Sequence, residues 1–211
     1  EAESELGGAL NVADKNVNKE KLTWLVETMK LELSKLDIDI RLNTRADAEM
    51  IRELNPDGVF VCCGGTHILP KVPGYDSEKA VQVKDYLLGK RTVGHSVAII
   101  GSGATGVETA ATLVRKGHDV TIIDMLPTIG NGIIERVMGV LRAQLVQMNV
   151  HMMPNTKLLE VTSLGAKLEN VNTGEVNELE FDSVIFAVGI RPQHELAAQI
   201  CEMLPNSVVL G

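Results

Sequence analysis

The chain has 211 residues, a net charge of −8 and 45% hydrophobic residues, which is ordinary for a globular protein of one large domain or two small ones. The acidic balance excludes a surface for nucleic acid or for an anionic membrane, because both need clustered Lys and Arg. No apolar run is long enough to span a membrane, and three cysteines without regular spacing favour a reducing, cytoplasmic location over a disulfide framework.

Residue periodicity predicts alternating helices and strands in the first 90 residues. The predicted elements are a helix from Asn18, as its cap, to Leu36, a strand over 38–42, a helix over 48–54 behind an Asp47 cap, a strand over 59–63 and a helix over 82–89. The run 59–63 is apolar throughout, which is typical of a strand buried on both faces of a parallel sheet.

The second part of the chain predicts a parallel sheet with an insert. Its elements are a strand over 97–100, a glycine turn over 101–106, a helix over 105–116, a strand over 120–123, a helix over 134–147 and a strand over 150–153. The helix over 134–147 has Ile134, Val137, Leu141 and Leu145 on one face. Short antiparallel strands over 158–162, 166–171 and 176–181 then precede a buried strand over 183–188. This order predicts an α/β fold, a Rossmann-like doubly wound parallel sheet with a three-stranded antiparallel insert, and ligands at the carboxyl ends of its strands.

The turn Gly101-Ser102-Gly103-Ala104-Thr105-Gly106 carries the chemistry. It matches the GxGxxG pattern between an apolar strand and a helix, which is the context of a dinucleotide site. Gly101 permits the tight turn, Gly103 lets a pyrophosphate approach the backbone, and Gly106 allows close packing of helix and strand. The amides of this turn and the helix dipole would receive the phosphate charge.

An acid at the end of the next strand supports the same reading. Asp124 lies 18 residues after Gly106 and 23 after Gly101, which brackets the spacing of about 20 expected for a ribose-binding acid. A 2′-phosphate would face this carboxylate, and Met125-Leu126-Pro127 supplies no cation to receive it. The sequence therefore predicts NAD(H) rather than NADP(H), with an exposed strand-end acid as the alternative reading of Asp124.

Longer strings resemble the two-dinucleotide flavoprotein oxidoreductases. Their NAD(P)H-binding segment resembles VAIIGSGATGVETA at 97–110 and GHDVTIIDM at 117–125. A stretch beside the flavin resembles VFVCCGGTHILPKVPG, and a late strand that leads back to the FAD domain resembles FDSVIFAVGIRP. The resemblance implies that the nicotinamide dinucleotide is also contacted by Glu108, Met125, Val188 and Gly189.

Shorter strings narrow the resemblance to the Old Yellow Enzyme-like multidomain reductases, the branch of 2,4-dienoyl-CoA reductase, 2-enoate reductase and relatives of trimethylamine dehydrogenase. These strings are ELGGALNVA at 5–13, LNT at 42–44 and DYLLGK at 85–90. The resemblance implies hydride transfer from NADH to FAD and onward to an enoate- or dienoyl-type substrate. It also implies FMN and an iron–sulfur cluster in further domains of the intact protein.

The same resemblance divides the chain into an incomplete FAD-type domain over 1–90, an NAD(H)-binding domain over 91–189 and a return segment to the FAD-type domain over 190–211. It implies flavin contacts at Glu1, Gly7, Gly8, Cys63, Gly64 and Gly65. The FAD glycine turn of the family would lie before Glu1, and the chain stops on an apolar, strand-like run at 208–211. We therefore expect a fragment that holds NAD(H), binds FAD poorly or not at all, and is inactive without the rest of its parent chain.

Other patterns point to alternatives. Cys62 and Cys63 are adjacent, and neighbours in a strand point to opposite faces, so they fit core packing better than the dithiol of a disulfide reductase. The pair Tyr86 and Lys90 has the spacing of short-chain dehydrogenases but precedes the glycine turn, and the five histidines show no metal-ligand spacing. No side chain is an evident catalyst, as expected where cofactors carry the chemistry. A nucleotide-binding or redox-sensing module without turnover and a thiol-dependent reductase of the same superfamily remain open.

Overall fold

The structure is a computed structural model that describes residues 1–210. In chain order its elements are α1 (Leu10–Ala13), α2 (Glu20–Ser34), α3 (Ala48–Leu54), β1 (Val59–Val61), β2 (Gly65–His67), β3 (Ala80–Gln82), α4 (Val83–Leu87), β4 (Ser96–Ile100), α5 (Ala104–Arg115), β5 (Asp119–Ile123), α6 (Glu135–Gln147), β6 (His151–Met153), β7 (Thr156–Val161), β8 (Gly165–Asn170), β9 (Val176–Glu180), β10 (Ser183–Phe186), β11 (Ile190–Pro192), α7 (His194–Met203) and β12 (Ser207–Val209). They form two compact units, one of residues 1–14, 19–66 and 190 onward, the other of residues 15–18 and 67–189. Within the described part of the chain, no helix has the length and apolar character that crossing a membrane needs.

A five-stranded parallel sheet forms the centre of the unit that contains residues 67–189. Its strands lie in the order β3-β10-β4-β5-β6, and every neighbouring pair is parallel. Val97, Ile99 and Ile185 are fully buried, because both faces of the central strands are covered. The predicted α/β class is confirmed.

Two different layers cover the faces of this sheet. The antiparallel sheet β7-β8-β9, which confirms the predicted insert, packs on one face. The shared core comprises Ala80, Ala98, Ile100, Ile123, Leu158, Val161, Ala166, Leu168, Phe181, Val184 and Phe186. Helix α5 contacts β4 and β5, and its buried Val107, Ala110 and Leu113 cover the opposite face, because alternate strand residues point to opposite sides.

Backbone hydrogen bonds continue past the carboxyl ends of the central strands. The Gly101 amide donates to the Ile123 carbonyl at 2.9 Å, and the Ala187 amide donates to the Ile100 carbonyl at 2.8 Å. Because all five strands are parallel, their carboxyl ends meet at one edge of the sheet. That edge therefore carries the glycine turn, Asp124 after β5 and the segment that follows β10.

Asp182 ties β10 to β4 at the opposite edge. Its carboxylate accepts a hydrogen bond from the Ser96 amide at 2.9 Å, and its own amide donates to the Ser96 carbonyl at 2.9 Å. The bond from Ser96 holds the pKa of Asp182 below its usual value. The two strands therefore begin in a fixed register.

The other compact unit contains shorter elements. Strands β1 and β12 pair in parallel, and β2 pairs with β11. A small core comprises Val61, Ala197 and Ile200, with Ile51, Val59, Cys63 and Leu196 packed against it. The predicted cap of α3 is confirmed, since the Asp47 carboxylate accepts a hydrogen bond from the Met50 amide at 2.9 Å.

The helix predicted from Asn18 to Leu36 is shorter at both ends. It is α2, which begins at Glu20 and ends at Ser34. Asn18 has a φ of 62°, in the left-handed region that asparagine tolerates, and its side-chain oxygen accepts a hydrogen bond from Arg115 at 3.2 Å. The prediction that Asn18 caps this helix is therefore wrong, because its side-chain oxygen accepts a hydrogen bond from Arg115 and none from the amides of α2.

Two predicted strands of the first 66 residues are wrong in extent. Residues 38–42 form no strand, because the alternating segment makes isolated backbone hydrogen bonds and no ladder. One of them runs from the Glu1 terminal amine to the Arg41 carbonyl at 2.9 Å. Strand β1 ends at Val61. Phe60 is 73% exposed, so this strand is not buried on both faces.

Helix α6 buries only part of the predicted face. Met138 and Leu145 are buried, whereas Ile134 and Val137 are 75% and 48% exposed. Met138 packs where a side chain on Gly130 would otherwise lie, so the preceding loop decides which face turns inward. The sequence also did not predict α1, β2, β3, β11 and α7.

Candidate functional site

Two of the three glycines in the turn between β4 and α5 are required by the chain's own packing. Gly101 has a φ of +101°, and a Cβ there would lie 2.5 Å from the Ala187 carbonyl oxygen. A Cβ on Gly106 would collide with the carbonyl oxygen of Gly101. Backbone atoms cannot move aside without breaking the sheet edge, so both positions need glycine to fold.

Gly103 is different. A Cβ on this residue would meet no described atom within 4 Å, and its φ of −64° suits any residue. Packing and backbone strain therefore do not explain the glycine. What the missing side chain provides is open access to the backbone from outside the chain.

Helix α5 begins at Ala104, directly after Gly103, and its end is open. In residues 1–210 no side chain caps it, and its first turn has no acidic residue. The first amides of a helix have no intrahelical partner, and the helix dipole adds partial positive charge there. Ala104 is exposed and Thr105 is half-buried. The arrangement can bind an anionic group such as a phosphate.

The carboxylate of Asp124 is bound to the same turn. Its Oδ2 accepts hydrogen bonds from the Ser102 amide at 2.8 Å and from the Ser102 hydroxyl at 2.6 Å. Its Oδ1 accepts one from the Leu126 amide at 2.9 Å. An ionised carboxylate has about four acceptor positions, so Oδ1 can accept a further donor. The half-buried Asp124 thus presents an oriented acceptor beside the open end of α5.

Ser102 links three segments of the site. It is fully buried, and its Oγ also accepts a hydrogen bond from the Gly130 amide at 3.1 Å. Sequence reasoning treated Ser102 as one of the amides for a phosphate and missed both its bond to Asp124 and the part of Gly130. No spacing rule pairs these residues, which the chain brings together only when it folds.

The structure also places the remaining residues of the predicted dinucleotide site. Glu108 is half-buried one turn into α5, and Met125, directly after Asp124, is 58% exposed. Val188 adjoins the glycine turn, since its Cα would be 3.1 Å from a Cβ on Gly101. The exposed Gly189 has a φ of +106°.

The residues that the resemblance assigns to a flavin lie in the other compact unit; they are Glu1, Gly7, Gly8, Cys63, Gly64 and Gly65. The Cys63 thiol donates to the Gln193 carbonyl at 3.7 Å, and the Gln193 amide donates to the Gly64 carbonyl at 3.1 Å. Gly65 packs against Ile190. Gly7 and Gly8 have φ values of 125° and 50°, and the Glu1 carboxylate accepts a hydrogen bond from the Glu3 amide at 2.9 Å.

The cysteines and histidines show no shared site. Across residues 1–210, no group of three His, Cys, Asp or Glu side chains could hold a metal ion. Cys62 and Cys201 are exposed and Cys63 is half-buried, all as free thiols; the expectation that Cys62 packs in a core is therefore wrong, because β1 ends before it. Burial is the main cause that lowers the pKa of His67.

Comparison with known proteins matches nearly the whole chain to one protein family. The pyridine nucleotide-disulphide oxidoreductase family matches residues 6–209. Bilirubin reductase from Mediterraneibacter gnavus is 32% identical over 198 residues, which cover 91% of this chain and 30% of that protein. Cinnamate reductase from Clostridium sporogenes is 29% identical over 183 residues, which cover 85% of this chain and 27% of that protein.

A solved structure gives the same result at the level of the fold. A 2-naphthoyl-CoA reductase in complex with 2-naphthoyl-CoA superimposes with a TM-score of 0.88 at 25% identity, over 100% of this chain and 32% of that chain. The chain therefore spans under a third of the length of each of these relatives.

Proposed function

The chain belongs to the pyridine nucleotide-disulphide oxidoreductase family, and we propose that its unit of residues 67–189 binds NADH at the turn between β4 and α5. Membership of the family, together with its similarity to named reductases, makes the chain a flavin- and nicotinamide-dependent oxidoreductase domain. The choice of NADH and its location on this turn constitute the proposal.

The observation that carries the proposal is the contrast among the three glycines. Gly101 and Gly106 avoid collisions within the chain, whereas Gly103 avoids none. An uncapped helix end with no acid in its first turn adjoins Gly103. The Ser102 amide already donates to Asp124. A pyrophosphate there would be bound by the backbone amides from Gly103 to Gly106, and a side chain at Gly103 would obstruct it.

Asp124 supports the choice of NADH over NADPH. Its Oδ1 would accept hydrogen bonds from the hydroxyls of the adenosine ribose. A 2′-phosphate would be repelled by this fixed carboxylate, and the following residues Met125, Leu126 and Pro127 offer no cation. Met125, which is exposed beside Asp124, would cover the adenosine half.

The nicotinamide half would lie toward the end of β10. Val188 and Gly189 follow that strand and adjoin the turn at Gly101. Glu108 is half-buried on the first turns of α5 and would support this end of the site. The chain's contribution is to hold and orient the dinucleotide, while the bound cofactors supply the hydride chemistry.

We further propose that the intact protein passes hydride from NADH to FAD and then reduces an enoate- or dienoyl-type substrate. The similarity to a cinnamate reductase and to a 2-naphthoyl-CoA reductase favours the Old Yellow Enzyme-like branch. In this proposal residues 1–66 and 190–211 belong to an FAD-type domain and 67–189 to the NADH-binding unit. The boundary is drawn at residue 66 and not at residue 90, because β3 pairs with β10 in the sheet of the NADH-binding unit. Any FMN or iron–sulfur cluster belongs to other domains of the parent chain, and this chain alone holds NADH without turnover.

The substitution Gly103→Ala tests the proposed site. Its Cβ would meet no atom of the chain, so we expect folding to be preserved and NADH affinity to fall at least about tenfold, since the methyl group occupies the path of the pyrophosphate. Titration of the 211-residue chain by NADH fluorescence measures this, with thermal unfolding alongside.

Gly139→Ala is the matched control, because Gly139 is an exposed glycine of α6 whose Cβ would also meet no atom. We expect it to leave NADH affinity unchanged and to stabilise α6 slightly. Unchanged NADH affinity in Gly103→Ala would count against the site.

A further inference from the structure

We propose that Ser102 is a positioning residue that sets the Asp124 carboxylate for the ribose and thereby determines selectivity for NADH over NADPH. The inference rests on the proposed NADH site and adds to it the residue that controls its selectivity. It comes from two hydrogen bonds that meet at one buried hydroxyl, and from a third that joins the Ser102 amide to the same carboxylate.

The direction of the Ser102 hydroxyl is fixed by its neighbours. The Gly130 amide donates to Oγ at 3.1 Å, and Oγ lies 2.6 Å from Asp124 Oδ2. A carboxylate can only accept, so the hydroxyl proton of Ser102 must point to Asp124. Ser102 is fully buried, so bulk water does not compete for this bond in the folded chain.

This arrangement leaves one oxygen of Asp124 for a ligand. Oδ2 accepts both the amide and the hydroxyl of Ser102, whereas Oδ1 accepts only the Leu126 amide. The two donors on Oδ2 restrict rotation of the carboxylate plane and leave Oδ1 with a single protein donor. Short hydrogen bonds to an ionised acceptor are the stronger kind, so the restraint is stiff.

Loss of the hydroxyl changes selectivity more than it changes binding as a whole. The phosphate-binding elements, Gly103 and the open end of α5, make no contact through Ser102 Oγ. A carboxylate that keeps only the Ser102 and Leu126 amides as donors is less firmly aligned with ribose hydroxyls and can turn away from a 2′-phosphate more easily. NADH affinity should therefore fall while NADPH affinity holds or rises.

The test compares Ser102→Ala with Thr109→Val in the 211-residue chain. Thr109 is a matched control because its hydroxyl is also buried in the α5 region but has no hydrogen-bond partner in residues 1–210. Dissociation constants for NADH and NADPH are measured by cofactor fluorescence. We expect Ser102→Ala to weaken NADH about tenfold with NADPH changed less than about threefold, and Thr109→Val to change neither.

Two further measurements test the same role of Ser102, one on Ser102→Cys and one on Ser102→Ala combined with Asp124→Asn. Ser102→Cys keeps a weak donor of similar size and should give an intermediate selectivity even if Ser102→Ala folds poorly. In Asp124→Asn, adding Ser102→Ala should cost no further NADH affinity, since the two residues act as one unit.

The possible results distinguish the positioning role of Ser102 from the existence of the NADH site. Wild-type chain that binds no NADH would refute both. NADH binding that depends on Asp124 but is unaffected by Ser102→Ala would overturn the positioning role alone. Equal weakening of NADH and NADPH would also overturn it, because a purely structural role moves both cofactors together.

Discussion

Single residues of the site divide into those that protect the fold and those that, in our proposal, face a ligand. Gly101 and Gly106 belong to the first group, because a Cβ on either would strike backbone atoms. Gly103 belongs to the second group, and Asp124 connects the two, since Ser102 holds one of its oxygens while the other can accept a further donor. A substitution in the first group should lower stability, and one in the second should lower binding.

Asp124→Ala separates these effects further. We expect it to weaken NADH binding by about 1–3 kcal/mol, because a charged acceptor for ribose hydroxyls is removed. It should also lower the unfolding midpoint, since the Ser102 hydroxyl is left without its acceptor. Calorimetric titration and thermal unfolding measure the two effects independently.

Asp119→Ala is the control for that variant. Asp119 is an exposed acid at the other end of the same strand, so its removal changes the net charge equally but lies away from the turn. NADH affinity should stay within about twofold of the wild type. Equal losses in both variants would mean that net charge, and not a ribose contact, governs binding.

At the scale of elements, helices α3 and α5 differ in whether a side chain caps their first turn. Helix α3 is closed by the Asp47 carboxylate, which accepts the Met50 amide, whereas α5 begins with no cap from any described side chain. An N-terminal cap is worth about 0.5–2 kcal/mol. Side-chain caps are also absent from α2, α4, α6 and α7, but each of those helices has an acid in its first turn and α5 has none. The acid-free first turn is therefore the feature of α5 that suits the proposed phosphate site.

The opposite edge of the sheet predicts a pH dependence of stability. The Ser96 amide holds the pKa of Asp182 below its usual value, so the stabilisation is fully present above the pKa of the unfolded state. It is lost as the pH falls through the lower pKa of the folded state. Asp182→Asn should therefore lower the unfolding midpoint at pH 7, and the difference from the wild type should shrink toward pH 3.

Thermal unfolding between pH 3 and pH 7 measures this. Glu180→Gln, which neutralises an exposed acid of β9, should track the wild type across the range. A difference between Asp182→Asn and the wild type that does not change with pH would show that the carboxylate charge contributes nothing at this edge.

Residues close together in the sequence were sufficient to predict some helices and strands but not others. The cap of α3 and the unit β4–α5–β5 follow from residues close together in sequence, and the structure confirms them. The buried face of α6 depends on Met138 meeting Gly130, and residues 38–42 lack a ladder despite their alternation. In the site, the glycine turn could be predicted, but the bond between Ser102 and Asp124 joins positions 22 apart and follows only from folding.

At the scale of the whole molecule, the chain covers under a third of the relatives it resembles. Dinucleotide binding requires only residues 67–189 in our proposal, whereas turnover requires a flavin and the rest of the parent chain. NADH binding by this chain is therefore the property that can be tested directly.

The positions of the thiols make alkylation a test of the thiol-dependent alternative. Cys62, Cys63 and Cys201 all lie in the compact unit that does not contain the glycine turn. Treatment with iodoacetamide should therefore leave NADH affinity within about twofold, checked by mass spectrometry and by the same titration. Loss of NADH binding in proportion to alkylation would favour a thiol role instead.

Parallel titration of the 211-residue chain with NADH and NADPH tests the central claim most directly. If the open end of α5 holds the pyrophosphate and the fixed Asp124 carboxylate accepts the ribose hydroxyls, NADH should bind at least about tenfold more tightly than NADPH. Equal or tighter binding of NADPH would contradict the account.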